Sequence, residues 1–250
     1  MDRQIVGLVC RTSDRDAEVA DGTRELAELL DARIIGSPGE PRVLHWEEDL
    51  RASRGCLLEA GGQLDDAFEA GVVPILLAGD CSICVATLPV LARHRPDARV
   101  LWLDAHGDFN TPETTMSGYL GGMCLAGACG LWTTGFGAGP EPARIVMYGV
   151  RELEGGERVN LDRSGVHRIE DVAPLVGLEL FIHVDLDVID PMYLPAAFPV
   201  ANGTSPRDLR EFLADVMEAC TVVGAEITSA VPGCGELAAD AIAPLLSDPG

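Results

Sequence analysis

The chain has 250 residues, 47% of them hydrophobic, enough for a substantial core in one large domain or two small ones. Its formal net charge is −22 and its basic residues other than histidine are all arginine, which argues against nucleic acid or an anionic membrane as partner and favours a cationic ligand. No apolar run approaches the ~20 residues needed to cross a bilayer, and the opening MDRQIVGLVCRTSD lacks the pattern of a secretory leader, so a cytoplasmic protein is expected. No linker, charge block or repeat divides the sequence, and a single domain over 1–250 is expected.

In chain order, residues 4–10 read as a strand, 11–21 as a loop and 22–31 as a helix. Residues 43–46 suggest a short strand, and 50–69 a longer helix stopped by Gly71. A strand over 72–77 runs into Gly79-Asp80-Cys81-Ser82, and a helix follows over about 83–94. Residues 100–103 form a short, buried, β-prone run. Residues 118–130 are rich in small side chains and read as helical, 133–142 as a Gly/Pro loop, 144–150 as a strand, and 166–169 as a short strand before a helix. Residues 181–184 form another apolar strand. Ser205 caps a helix with Pro206 in its first turn, running to about residue 220. A strand over 222–227 carries Glu226 at its end, and a final helix covers 235–246. Strands alternating with helices predict an α/β fold with a parallel sheet covered on both faces.

Two stretches carry the chemistry. After strand 100–103 come Asp104, His106 and Asp108, at i, i+2 and i+4, with Gly107 relieving the backbone between them. Extended chain puts alternate side chains on one face, so three metal-competent groups emerge at the carboxyl end of a strand, where parallel sheets bind ligands. After strand 181–184 come Asp185 and Asp187, closed by Asp190-Pro191. Carboxylates this close repel one another, and a pair of divalent cations between them resolves the repulsion. Either stretch alone fits a polar loop capping a core strand; the two together, with a histidine in one, point to a metal centre.

Eight cysteines are scattered without regular spacing, and Cys10, Cys56, Cys124, Cys129, Cys220 and Cys234 are expected to be buried free thiols. Cys81-Ser82-Ile83-Cys84 is a C-x-x-C between a strand and a helix, an arrangement shared with redox proteins. That reading leaves the acidic clusters unexplained.

The ordered set GDCS, DAHGDFNTPETTMSG, GVRELE, HVDLDVIDP and AEIT resembles the arginase/agmatinase (ureohydrolase) superfamily over nearly the whole chain. The resemblance implies a three-layer α/β/α sandwich with a mainly parallel sheet, and two Mn2+ ions per chain that activate water to hydrolyse guanidino groups. By position, Asp104 and Asp185 would bridge the ions, Cys81 and Asp108 would complete one ligand set, and His106 and Asp187 the other. Asp108 would also orient the attacking water. Glu226 would pair with the guanidinium, Asn110 and Ser117 would hold the substrate's α-carboxylate, and Glu154 its α-ammonium. A small guanidino amino acid is therefore implied rather than a decarboxylated amine.

Two departures stand out. Cys81 occupies a position where the superfamily motif has histidine, and thiolate is a softer ligand than manganese prefers. Gly121 stands where arginases carry a proton-shuttle histidine, which removes an acid and is expected to open space beside the guanidino group. Both changes suit a larger, less basic terminal group such as an N-hydroxyguanidine. A branch of the superfamily that includes an enzyme of D-cycloserine biosynthesis carries cysteine at this ligand position. The expected reaction is cleavage of Nω-hydroxy-L-arginine to L-ornithine and hydroxyurea. L-Arginine or another guanidino acid is the alternative substrate, and a metal-poor, non-catalytic binding protein the alternative class. A homo-oligomer is possible, but no sequence feature indicates one.

Overall fold

The structure, a computed structural model, describes residues 2–16 and 18–246. Eight parallel strands form one sheet: β1 (Arg3–Leu8), β2 (Arg33–Ile35), β3 (Val73–Leu77), β4 (Arg99–Leu103), β5 (Ile145–Tyr148), β6 (His167–Arg168), β7 (Glu179–Asp185) and β8 (Thr221–Thr228). Their order across the sheet is β2-β1-β3-β8-β7-β4-β5-β6. Residues of β3, β4, β7 and β8 are almost entirely buried, as strands covered on both faces must be.

The helices are α1 (Glu18–Leu29), α2 (Trp46–Ala52), α3 (Arg54–Ala70), α4 (Cys84–His94), α5 (Cys124–Ala128), α6 (Gly155–Ser164), α7 (Pro206–Ala219) and α8 (Gly235–Leu246). One face of the sheet packs Leu57 and Leu64 of α3 and Leu88 of α4 against Val100, Trp102 and Phe181. The other packs Leu26 of α1, Leu213 of α7 and Ile242 of α8 against Leu101, Leu103, Ile182 and Val184. This is the three-layer α/β/α sandwich. No helix of the described residues is long and apolar enough to cross a membrane.

Several local expectations need correction. Residues 43–46 form no strand: α2 begins at Trp46, and α3 follows after a break at Ser53. Gly71 ends α3 in the left-handed conformation at φ 72°. The first helix starts at Glu18, four residues before the apolar spacing suggests. Residues 118–130 are mostly irregular, with a 3-10 turn at Gly121–Met123 and the short α5. A helix missing from the expectation, α6, is set by a capping box in which Glu154 and Glu157 each accept from the other's backbone N–H. β6 leads into the 3-10 turn Ala173–Leu175, not a helix.

Cys10 and Cys56 are not free thiols. They form a disulfide, with Cα atoms 5.8 Å apart, that ties the loop after β1 to α3. Cys124 is a buried free thiol as expected, while Cys129, Cys220 and Cys234 are free but only partly buried.

Candidate active site

The carboxyl ends of β3, β4, β7 and β8 meet beneath a cavity of about 520 Å³. Asp104 follows β4, Asp185 ends β7, and the two strands are paired through Leu103 and Val184, so the two carboxylates emerge side by side. Cys81 opens a 3-10 turn beyond β3, capped by Asp80, whose Oδ1 accepts from the Ser82 amide at 2.8 Å. Asp108 takes a left-handed φ of 49°, uncommon for a residue with a side chain, which turns the chain sharply after His106.

These groups are held tightly. Asp104 accepts from the His106 amide at 2.7 Å and from Trp102 Nε1 at 3.1 Å. Asp185 accepts from the Asp187 amide at 2.8 Å and from the hydroxyls of Ser229 at 2.6 Å and Thr228 at 3.1 Å. Asp187 accepts from the Ala105 amide at 3.0 Å and faces His106 Nδ1 at 2.9 Å. The Cys81 thiol donates to Asp185 Oδ2 at 2.7 Å. Ligand atoms of Asp104, His106 and Asp187 lie within 4.8 Å of one another, as do those of Cys81, Asp104 and His183. The structure thus brings together the six residues expected to hold metal; Cys81, Asp104, His106, Asp108, Asp185 and Asp187 all line the cavity.

The electrostatics call for cations. Burial, then the charge of Asp187, pushes Asp185 up to about 6. Burial and the neighbouring charge of Asp104 raise both Asp108 and Asp187. Burial followed by the charge of Asp185 drives the Cys81 thiol far above its ordinary range. Burial works against a charged His106, yet hydrogen bonds to Asp104 and Asp187 raise it to about 12. Without metal, the cluster retains protons to offset its own repulsion. Divalent ions would take the place of those protons and favour the ionised carboxylates and thiolate. A buried set of carboxylates, one imidazole and one thiol therefore fits a divalent metal pair.

Asn110, Ser117, Gly121 and Glu154 also line the cavity. Asn110 Oδ1 accepts from Thr114 at 3.0 Å, and Glu154 accepts from the Met116 amide at 3.1 Å. Glu226 does not line the cavity and is fully buried. It lies on the correct face of β8 but is paired with His183, one strand repeat (about 6.6 Å) below the edge. Its oxygens accept from Thr87 at 2.7 Å and face His183 Nδ1 at 2.8 Å. The residue at the end of β8 that lines the cavity is Ser229, one position past the strand and turned in by a left-handed φ of 63°.

Gly121 does not open space either. A Cβ there would lie 2.6 Å from Tyr119 Cε1, because the Tyr119 ring fills that volume and its hydroxyl donates to Asp80. Gly107 is absent from the left-handed residues, so its role is clearance: a Cβ would meet Leu153 at 2.5 Å and Glu157 at 2.6 Å. Sequence reasoning missed Tyr119, Glu157, Arg15, Phe198 and His183. Glu157 is buried and accepts from the Phe109 amide at 2.9 Å, bracing the turn after Asp108. Arg15 sits 4.4 Å over the Tyr119 ring, and among the described residues lining the cavity it and His106 are the only basic ones. The rim between β7 and α7, which carries Phe198, is anchored by Arg151. Its guanidinium donates to the carbonyls of Asp187, Val188, Val200, Ala201 and Gly149.

Comparison with known proteins agrees with this geometry. A model of the arginase family matches residues 48–245. The chain is 36% identical to the N(omega)-hydroxy-L-arginine amidinohydrolase of Streptomyces lavendulae, over 94% of this chain and 92% of that one. It is 31% identical to the arginase of Bacillus caldovelox, over 78% and 75% of the two chains. The crystal structure of the Bacillus cereus arginase superposes with a TM-score of 0.85 at 25% identity, covering 98% of this chain and 97% of that one. A site of clustered strand-end carboxylates beneath one cavity, matched along nearly the full length of both relative and structure, makes this chain a member of the arginase family, whose enzymes depend on a binuclear metal centre.

Proposed function

We propose that the protein hydrolyses Nω-hydroxy-L-arginine to L-ornithine and hydroxyurea in the cytoplasm, with two Mn2+ ions as the expected cofactor. The observation that carries this reading is Cys81 in the ligand cluster, joined by the lack of a proton-carrying side chain at Gly121, which suits the less basic N-hydroxyguanidine. The similarity to the Streptomyces lavendulae amidinohydrolase supports the same substrate. The acidic lining suits a guanidino compound, and about 520 Å³ accommodates an amino acid of this length.

The metal pair, when bound, would supply activated water and charge neutralisation; Asp104 and Asp185 would hold both ions, Cys81 and Asp108 one, and His106 and Asp187 the other. Asn110 and Ser117 would take the α-carboxylate and Glu154 the α-ammonium, fixing the guanidino carbon over the cluster. Water adds to that carbon, the bond to Nδ breaks, and the proton balance requires an acid for the departing amine. Asp108 is buried and borders the cavity, so as a carboxylate it can orient the water, take its proton and pass that proton to Nδ. Tyr119 occupies the volume a shuttle side chain at 121 would need, so no second acid enters from that position.

The test is a paired assay of ornithine release from Nω-hydroxy-L-arginine and from L-arginine by manganese-loaded protein. A higher kcat/KM for the hydroxylated substrate is expected. Equal or better turnover of L-arginine refutes the assignment and makes the protein an arginase with an unusual ligand.

A further inference from the structure

His183 belongs to none of the roles above. It sits mid-strand in β7 with no solvent exposure. Its Nδ1 faces Glu226 Oε1 at 2.8 Å, while its Nε2 is buried with no hydrogen-bond partner among the described residues. A buried polar atom left without a partner requires an explanation. A ring nitrogen of His183, the Cys81 Sγ and an Asp104 oxygen lie within 4.8 Å of one another. Since Nδ1 is engaged by Glu226, Nε2 is the nitrogen available to that cluster.

We propose that His183 Nε2 is a metal ligand, sharing with Cys81 and Asp104 the deeper ion of the centre, and that Glu226 is its orienting partner. The arrangement is the carboxylate–histidine–metal relay, in which the outer carboxylate fixes the ring tautomer and leaves the other nitrogen's lone pair facing the ion. The indole of Trp102 organises two of the three ligands. It stacks on His183 with centroids 3.5 Å apart and planes 4° from parallel, and its Nε1 donates to Asp104 at 3.1 Å. The same geometry gives Glu226 a role: it acts through His183 rather than on substrate. Sulfur and nitrogen beside the carboxylates of Asp104, Asp108 and Asp185 suit a softer ion than an all-oxygen set does, so this one position should bind zinc or cobalt more tightly than the manganese expected for the pair.

The inference rests on the reading of the site as a metal centre, and the test separates the two. The full-length chain is stripped with chelator and titrated with Zn2+ or Co2+ alone. Wild type at one equivalent of Zn2+, studied by X-ray absorption, should show one sulfur and one imidazole on the same ion. Sulfur without imidazole, or imidazole without sulfur, overturns the proposal. With Co2+, the thiolate charge-transfer band reports the ion bound to Cys81. His183→Gln should weaken that ion's binding by more than tenfold, and Glu226→Gln by about tenfold, the usual effect of an outer partner. Metal-free melting temperatures serve as the control for a merely structural role. If the wild type binds two ions and His183→Gln binds both with unchanged affinity, His183 is not a ligand, although the metal centre stands. If the wild type binds no ion, both readings fail. Should His183→Gln not fold, the absorption measurement on wild type still decides.

Discussion

Alanine at Gly121 tests how the cavity wall is built. The new Cβ would lie 2.6 Å from Tyr119 Cε1, 2.7 Å from Cζ and 2.9 Å from the hydroxyl oxygen, closer than packed carbon atoms sit. The ring must therefore move, yet it is held on one side by its hydrogen bond to Asp80 and on the other by Arg15, 4.4 Å from its centroid. Overpacking of this kind costs about 1–3 kcal/mol, and swinging the ring out instead forfeits a hydrogen bond to a carboxylate, about 1.5–3 kcal/mol. The cheaper route sets the loss at roughly 1–3 kcal/mol. At roughly 2–4 °C per kcal/mol for a chain of this size, the melting temperature should fall by roughly 2–12 °C. The assay is thermal unfolding of Gly121→Ala, Tyr119→Ala and the double variant at fixed metal loading. In the Tyr119→Ala background the Gly121→Ala cost should vanish, because the clashing ring is gone. An equal cost in both backgrounds, or a Gly121→Ala protein that melts with the parent, refutes the argument. By the same geometry, histidine at position 121 cannot restore a proton shuttle while Tyr119 remains.

Asp185→Asn removes a charge from the centre of the cluster and should abolish turnover while the variant still folds; substantial activity with two ions bound would contradict its bridging role. Removing metal should lower the melting temperature, since ligand at about 100 times Kd adds about 2.7 kcal/mol; an unchanged melt after verified metal loss would show that the ions contribute nothing to folding. The metal-free protein should grow more stable as pH falls from about 8 to about 5. Asp14, raised to about 7 by burial and then by the charge of Asp80, and Asp185, at about 6, bind protons in the folded state that the unfolded chain releases down to its ordinary carboxylate range. His106, raised to about 12, works in the same direction above its ordinary value. Metal should flatten this trend, and metal-free stability that is level or rises toward pH 8 on denaturant titration would overturn it.

The sheet and the cluster of strand-end carboxylates were legible because both are written locally. Val100–Leu103 followed by alternating Asp104, His106 and Asp108 states a buried strand and its exit on one line of sequence. The final helix matched its expected span of 235–246 for the same reason, having clear boundaries and apolar spacing. Glu226 was misplaced because depth along a strand depends on register with a neighbour, and a single-strand pattern does not contain it. The pairing of Glu226 with His183, and of Thr228 with Asp185, settles which residue reaches the edge. A histidine inside the apolar run Leu180–Val184 was the available signal that β7 carries chemistry below its end. Tyr119 and the Cys10–Cys56 disulfide depend on contacts between segments far apart in the chain or across an irregular turn, which periodicity cannot register. The helix α6 was missed because its stability comes from capping rather than from an apolar stripe.

Arg151 grips the rim of the cavity through main-chain oxygens alone; the acceptors within its reach are the carbonyls of residues 149, 187, 188, 200 and 201. Gly203 lets the guanidinium come this near, since a Cβ there would lie 2.7 Å from Arg151 Nη2. With the backbone so moored, the side-chain anchoring narrows to Asp190, which accepts from the Met192 and Gly203 amides, and to the buried Leu194. Met192 and Tyr193, both exposed there, are free to be exchanged without unseating the loop, whereas Phe198 packs on Tyr119. The molecule thus separates what evolution can vary from what it must keep: the rim can be rewritten for a new substrate one residue at a time, while the strand beneath it continues to deliver Asp185 and Asp187 to the same place.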